Sequence, residues 1–166
     1  LFAWNTRFYQ IPDDQYLIVI LSNAGNAPLE KMYSGITDIL YGRPTETARP
    51  LIANTLYSAL KNKTLQPALE QCSQYFQAEK NKWDFSEYEL NRLGYFALQN
   101  DTKSAVMIFR FVTDIYPQSW NAWDSYGEAL ATAGNKAEAI KAYEKSISLN
   151  PGNNAGIEML KKLKEA

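Results

Sequence analysis

Two stretches of this chain carry the same residue types at the same spacing, and that periodicity constrains the fold more than any other feature. The downstream copy holds Trp123, Tyr126-Gly127, Gly134, Ala139, Tyr143 and Pro151. The upstream copy holds Leu93-Gly94, Ala105, Phe109 and Pro117, and its last four residues precede their counterparts by 33, 34, 34 and 34 positions. One residue is therefore missing from the turn of the first copy. Each copy reads as a pair of helices. Trp123 and Tyr126 are bulky and face inward, Gly127 permits close helix contact, and Gly134 makes the turn. Ala139 lets the second helix cross tightly, Tyr143 fills the gap between hairpins, and Pro151 ends the helix. A helical hairpin of this length cannot bury its apolar face alone, so neighbouring copies must stack.

These residues resemble the tetratricopeptide repeat, and the resemblance implies a stack that binds other polypeptides. The copies span roughly 86–118 and 120–152. Ahead of them, Leu51, Ile52, Leu56 and Leu60 mark one helix, and Leu65, Ala68, Leu69, Cys72, Tyr75 and Phe76 mark a second. Together, 51–61 and 65–80 have the length of a hairpin without its consensus letters, a degenerate first repeat. A last amphipathic helix, 154–165, sets Ile157, Leu160 and Leu163 against Lys161, Lys162 and Lys164, as a capping helix does. Those lysines suit a helix C-terminus rather than a docking patch. The expected fold class is mainly α: a tetratricopeptide-like helical hairpin stack (an α-solenoid) preceded by a β-hairpin and one amphipathic helix.

The residue inventory excludes more chemistry than it suggests. The 166 residues contain no histidine, so neither a Ser-His-Asp triad nor a histidine metal ligand can be assembled from them. The single cysteine, Cys72, cannot close an internal disulfide or a cysteine metal cluster, and its helical setting reads as core. No cofactor is implied. A net charge of −1 without a long basic run gives no electrostatic footprint for nucleic acid. The longest apolar run, 16–21, is strand-sized and far short of the roughly 20 residues of a membrane span. The opening at Leu1 reads as the start of a fragment or processed product.

Residues 1–43 differ in kind from the rest. Phe2, Trp4, Thr6 and Phe8 alternate with Ala3, Asn5, Arg7 and Tyr9, a period of two that predicts a strand. Ile11-Pro12-Asp13-Asp14 is turn chemistry, and 15–22 is apolar without alternation, which predicts a strand covered on both faces. A loop over 23–28 leads to a helix whose face carries Leu29, Met32, Tyr33, Ile36, Ile39 and Leu40, with Gly42 and Pro44 as stop signals. Residues 44–50 form a linker, and 51–166 the helical domain.

Two strings in this first part, Val19-Ile20-Leu21-Ser22-Asn23 and Ile39-Leu40-Tyr41-Gly42-Arg43-Pro44, resemble the end of a serine β-lactamase-like domain of the penicillin-binding-protein-like hydrolases. The resemblance implies that 1–43 is the terminal hairpin and helix of such a domain, with the repeats as its tail. It also implies a periplasmic or extracytoplasmic setting. The family's nucleophile motif Ser-x-x-Lys, its Tyr-x-Asn and its later strand motif would all lie upstream of Leu1. One literal match, Ser58-Ala-Leu-Lys61, falls near the end of a surface helix rather than at the start of a buried one, and reads as a solvated face.

Function is accordingly expected to be non-catalytic. The concave face formed by the first helix of each hairpin is the candidate binding surface. It takes Tyr88, Asn91, Arg92, Tyr95, Leu98 and Gln99 from one repeat, and Asn121, Asp124, Ser125, Glu128 and Thr132 from the next. Asn91, Arg92, Tyr95, Asn121, Asp124 and Glu128 are the protein-binding candidates, with Asp124 and Glu128 set to repel a terminal carboxylate. Alternatively, that face is merely solvated or is covered by the chain's own N-terminal segment. Trp123 is expected to pack, and Trp120, the first residue of its repeat, is expected to pack in preference to the alternative of lining a surface. The partner is a protein or peptide, or the missing hydrolase domain. A homodimer through the N-terminal hairpin is the further possibility, since a lone hairpin leaves an apolar strand uncovered. The alternative identity is a stand-alone repeat adaptor unrelated to hydrolases.

Overall fold

From residue 52 onward the three- and four-residue spacing of apolar side chains becomes helix after helix: α2 (Ile52–Lys61), α3 (Leu65–Glu79), α4 (Glu87–Leu98), α5 (Thr102–Ile115), α6 (Trp120–Thr132), α7 (Lys136–Leu149) and α8 (Asn154–Glu165). Ahead of them lie β1 (Asn5–Ile11), β2 (Tyr16–Ser22) and α1 (Leu29–Leu40). The computed structural model describes residues 5–22, 29–45 and 49–165, and the chain divides into two units between residues 48 and 49.

In the helical unit α2 packs on α3, α4 on α5 and α6 on α7. The first helices of successive hairpins touch, α2 with α4 and α4 with α6, as do the second helices α3 and α5. That is a tetratricopeptide-like stack, closed by α8 against α7. One contact recurs inside the hairpins. The Phe109 ring lies so close to Gly94 that a Cβ there would sit 2.5 Å from its carbons, and a Cβ on Gly127 would sit 3.1 Å from the Tyr143 ring. Both rings are buried, as are Ala105 and Ala139, whose small side chains let the second helices approach. Phe109 and Tyr143 thus hold equivalent places one repeat apart. The place is the helix crossing within a hairpin, on the glycine, where the spacing had assigned Tyr143 to the gap between hairpins.

The residue missing from the first copy also has a physical identity. In the α6–α7 turn Gly134 is left-handed (φ 79°). Its N–H donates to the Ala131 carbonyl (3.0 Å) and that of Asn135 to Leu130 (2.9 Å), the hydrogen-bond pattern that ends a helix on a left-handed residue. The α4–α5 turn contains no left-handed residue. There the N–H groups of Asn100 and Asp101 both donate to the Ala97 carbonyl, at 2.9 and 2.7 Å. The shorter copy closes without the left-handed step and so has no use for the glycine.

The degenerate first hairpin turns as the last one does. Lys63 is left-handed (φ 57°), donating to Leu60 (3.3 Å), and Thr64 donates to Ala59 (2.9 Å). Aligned on this residue, Leu56 and Cys72 take the places of Gly127 and Tyr143, and both are fully buried. The large side chain has moved to the first helix and the small one to the second, so the hairpin packs without the consensus letters. Burial pushes the Cys72 thiol up to about 11, which keeps it a protonated core residue. A short parallel bridge ties the start of the unit to the segment before α4. The Asp84 N–H donates to the Pro50 carbonyl and the Ile52 N–H to that of Asp84, both at 2.9 Å.

In the N-terminal unit β1 and β2 pair antiparallel, with Phe8 opposite Val19 and Tyr9 opposite Ile18. Phe2, Trp4 and the 23–28 loop lie outside the described residues. The expectation of a strand covered on both faces is corrected. Ile18 and Ile20 are buried with Leu29, Tyr33 and Ile36 of α1, while Leu17, Val19 and Leu21 face away and Leu17 and Leu21 are 64% and 71% exposed. One helix covers one face of a two-stranded sheet, and the described residues supply no second layer. Phe8 shares the bare face at 69% exposure. The packed aromatic of β1 is instead the half-buried Tyr9, stacked on Tyr33 with ring centroids 3.9 Å apart. The single apolar face assigned to α1 also divides: Leu29, Tyr33 and Ile36 pack, whereas Met32, Ile39 and Leu40 are exposed.

The turn geometry yields a stability prediction. A left-handed non-glycine residue costs about 1–2 kcal/mol, of which glycine's extra unfolded-state entropy gives back part. Lys63→Gly should therefore raise unfolding free energy by about 0.5–1 kcal/mol in urea titrations. A fall in stability would contradict the assigned turn.

Candidate functional site

The first helices α2, α4 and α6 form one side of the stack, and α4 and α6 begin alike, whereas Leu51 at the start of α2 offers no side-chain cap. Ser86 accepts a hydrogen bond from the Glu89 N–H (3.4 Å) and Ser119 from the Ala122 N–H (3.2 Å), capping α4 and α6. Asn153 does the same for α8 through the Gly156 N–H (3.1 Å). The latter two caps also reach back to the preceding first helix. The Ser119 hydroxyl donates to Glu87 of α4. Asn153 Nδ2 donates to Asp124 of α6 (2.6 Å) and to Ser146 Oγ (3.0 Å), whose hydroxyl donates to the Trp120 carbonyl (2.8 Å). A Cβ on Gly156 would lie 2.4 Å from Asn153 Nδ2 and 2.8 Å from Asp124 Oδ1, so the glycine leaves room for this junction. Ser146 and Asn153 are buried, and each is satisfied.

Midway along the seam the Tyr95 hydroxyl donates to Glu128 (2.9 Å) and lies 3.2 Å from Ser125 Oγ, while its ring meets Phe109 edge-on. Burial, reinforced by the Glu128 carboxylate and opposed by Ser125, pushes the phenol up to about 12. The buried Tyr143 phenol is raised as well, first by desolvation and then by the charges of Asp124 and Glu128. The seam between α4 and α6 is thus a negative environment.

Of the six residues singled out from sequence, the structure bonds Tyr95 to Glu128 and directs Asp124 to the α8 cap. Arg92 pairs with Glu89 (2.9 and 3.2 Å) and lies over the Tyr88 ring, 5.9 Å from its centroid. Asn91 is half-buried on α4, and its Oδ1 is buried without a partner among the described residues. Asn121 is half-buried at the start of α6. Trp123 packs beside the core and donates its indole N–H to the Pro117 carbonyl (2.9 Å). Trp120, expected to pack, is 40% exposed, because its carbonyl and not its ring enters the buried junction.

Sequence reasoning missed Tyr57, Lys61 and Phe96. Tyr57 (37% exposed) meets Phe96 (45% exposed) edge-on across α2 and α4, with ring centroids 5.5 Å apart. Lys61 lies over the Tyr57 ring at 5.0 Å. The spacing of Tyr88, Arg92 and Phe96, four residues at each step, is the signal that marks them as one stripe. Ser58 is exposed on α2, and the neighbouring Lys61 ammonium is engaged with Tyr57. Among the described residues no group of three or more histidine, cysteine, aspartate or glutamate side chains is placed to hold a metal ion, and no helix is long and apolar enough to cross a membrane.

Residues 120–153 match the tetratricopeptide repeat family. Similar solved structures include a mutant of MamA, at 19% identity over 69% of this chain and 83% of that one, with a TM-score of 0.53. The first tetratricopeptide domain of Spaghetti (RPAP3), bound to an HSP90 peptide, aligns at 17% identity over 69% of this chain and 88% of that one, with a TM-score of 0.46. The first such domain of human RPAP3 aligns at 17% identity over 69% and 87%, again with a TM-score of 0.46. No curated protein matches significantly. The chain carries a tetratricopeptide repeat at 120–153, set within a tetratricopeptide-like helical stack.

Proposed function

We propose that the helical unit is a protein-interaction module whose docking surface is the first-helix side. One observation carries this reading. Tyr57, Tyr88, Phe96 and Trp120 are exposed on α2, α4 and α6, whereas no large hydrophobic residue described on α3, α5 or α7 is exposed. Solvent-exposed rings on one side of a rigid scaffold suit recognition of another chain, since aromatic residues supply large contact area at low entropic cost.

In the finer reading, residues 1–43 are the closing hairpin and helix of a serine β-lactamase-like hydrolase domain, and the stack is its non-catalytic tail. The strings around Leu21 and Tyr41 support this, as does the uncharged bare face of Phe8, Leu17, Val19 and Leu21, which a larger sheet would continue or cover. A stand-alone adaptor is supported equally by the stack. Under either reading the N-terminal hairpin, left without a larger sheet, is proposed to pair with a second copy of the chain.

Binding of an immobilised library of short peptides tests the module reading. Tyr88→Ala or Trp120→Ala should weaken the best binders by about ten-fold, the loss expected of an exposed aromatic anchor, without altering the unfolding midpoint. Affinities unchanged in both variants would overturn the assignment of this side. Light scattering then tests the pairing of the hairpin. A dimer dispersed by Leu17→Lys supports the pairing under either reading, and a monomer at high concentration removes it.

A further inference from the structure

The charges on the first-helix side are divided unequally. On α6, Asp124 is bonded to Asn153 and Glu128 to Tyr95, and both are half-buried. On α2 and α4, Lys61 and Arg92 are exposed and flank the exposed rings of Tyr57, Phe96 and Tyr88. Glu89, a half-buried carboxylate in this group, is paired with Arg92 within one helix turn, and the Arg92 side chain remains 48% exposed beside that pair. Tyr57 and Phe96 meet only edge-on, which leaves ring surface for an apolar side chain between the two cations.

Resting on the docking reading above, we propose that the α2–α4 part of this side takes an internal segment of a partner protein in which an aromatic or aliphatic residue is flanked by aspartate or glutamate. The apolar side chain sits against Tyr57 and Phe96. Its acidic neighbours meet Lys61 and Arg92, and the segment's polarity keeps them away from Asp124 and Glu128. A chain terminus has no part in this recognition, because the carboxylates of α6 repel a terminal carboxylate and the segment's own acidic side chains are what meet the cations of α2 and α4.

The test is fluorescence anisotropy of the full chain with short peptides, acetylated and amidated at their ends. Each carries one central phenylalanine flanked either by Asp/Glu or by Lys/Arg. The acidic set should bind about ten-fold tighter, the sum expected of two solvated ion pairs. Lys61→Glu should weaken it by roughly five-fold, and a free C-terminal carboxylate should change it less than about two-fold. Equal or tighter binding of the basic set overturns the proposal and leaves the docking reading in place. So does acidic binding that survives Lys61→Glu but is lost in Trp120→Ala. Failure of both sets to bind, where the peptide library does bind, overturns the proposal alone; failure of the library as well overturns both.

Discussion

The packing of an aromatic ring onto a glycine across each of the last two hairpins is the contact on which the rest of the stack depends. Phe109 on Gly94 and Tyr143 on Gly127 bring the two helices close enough to share a buried core with Ala105 and Ala139. Because the ring is large and the opposing position has no side chain, helix separation and register are set together. The next first helix then meets a surface of fixed shape. In the first hairpin the exchange of sizes, Leu56 opposite Cys72, meets the same volume requirement with different letters.

Polar groups continue this register from hairpin to hairpin. Ser119 and Asn153 cap their own helices and at the same time bind Glu87 and Asp124 of the preceding first helix. A carboxylate on this side is therefore a structural partner before it is a ligand contact. Burial first, and then these carboxylates, raise the Tyr95 and Tyr143 phenols above their ordinary value. What stays exposed on this side is the set of rings Tyr57, Tyr88, Phe96 and Trp120, with the cations of α2 and α4 beside them, and this is the surface proposed for a partner. The division of labour follows from position, since residues turned toward the next helix are consumed and residues one step around the helix are not.

The repeat spacing made the hairpins, their small crossing residues and the capping helix legible in the sequence, because each position has one dominant packing demand. The candidate face was legible only as a helix side. Asp124 and Tyr95 carry no mark that separates a residue bonded across the seam from one open to solvent. That depends on a partner about 30 residues away, as with Asp124 and Asn153. Lys63 hid a left-handed turn because glycine is the usual signal and lysine is not. In β2 the run of apolar residues suggested two covered faces. Apolarity reports what a strand needs, whereas the number of neighbouring layers decides what it obtains.

A double-mutant cycle between Gly94 and Phe109 tests the central contact most directly. Gly94→Ala alone should destabilise the chain by about 1–3 kcal/mol, because the added methyl group must displace the ring. In a Phe109→Leu background the same methyl has room and brings the helix-propensity gain of about 1 kcal/mol, so most of that loss should vanish and the coupling should exceed about 1 kcal/mol. Additive effects of the two substitutions would contradict the account, for they would mean that ring and glycine do not set each other's position.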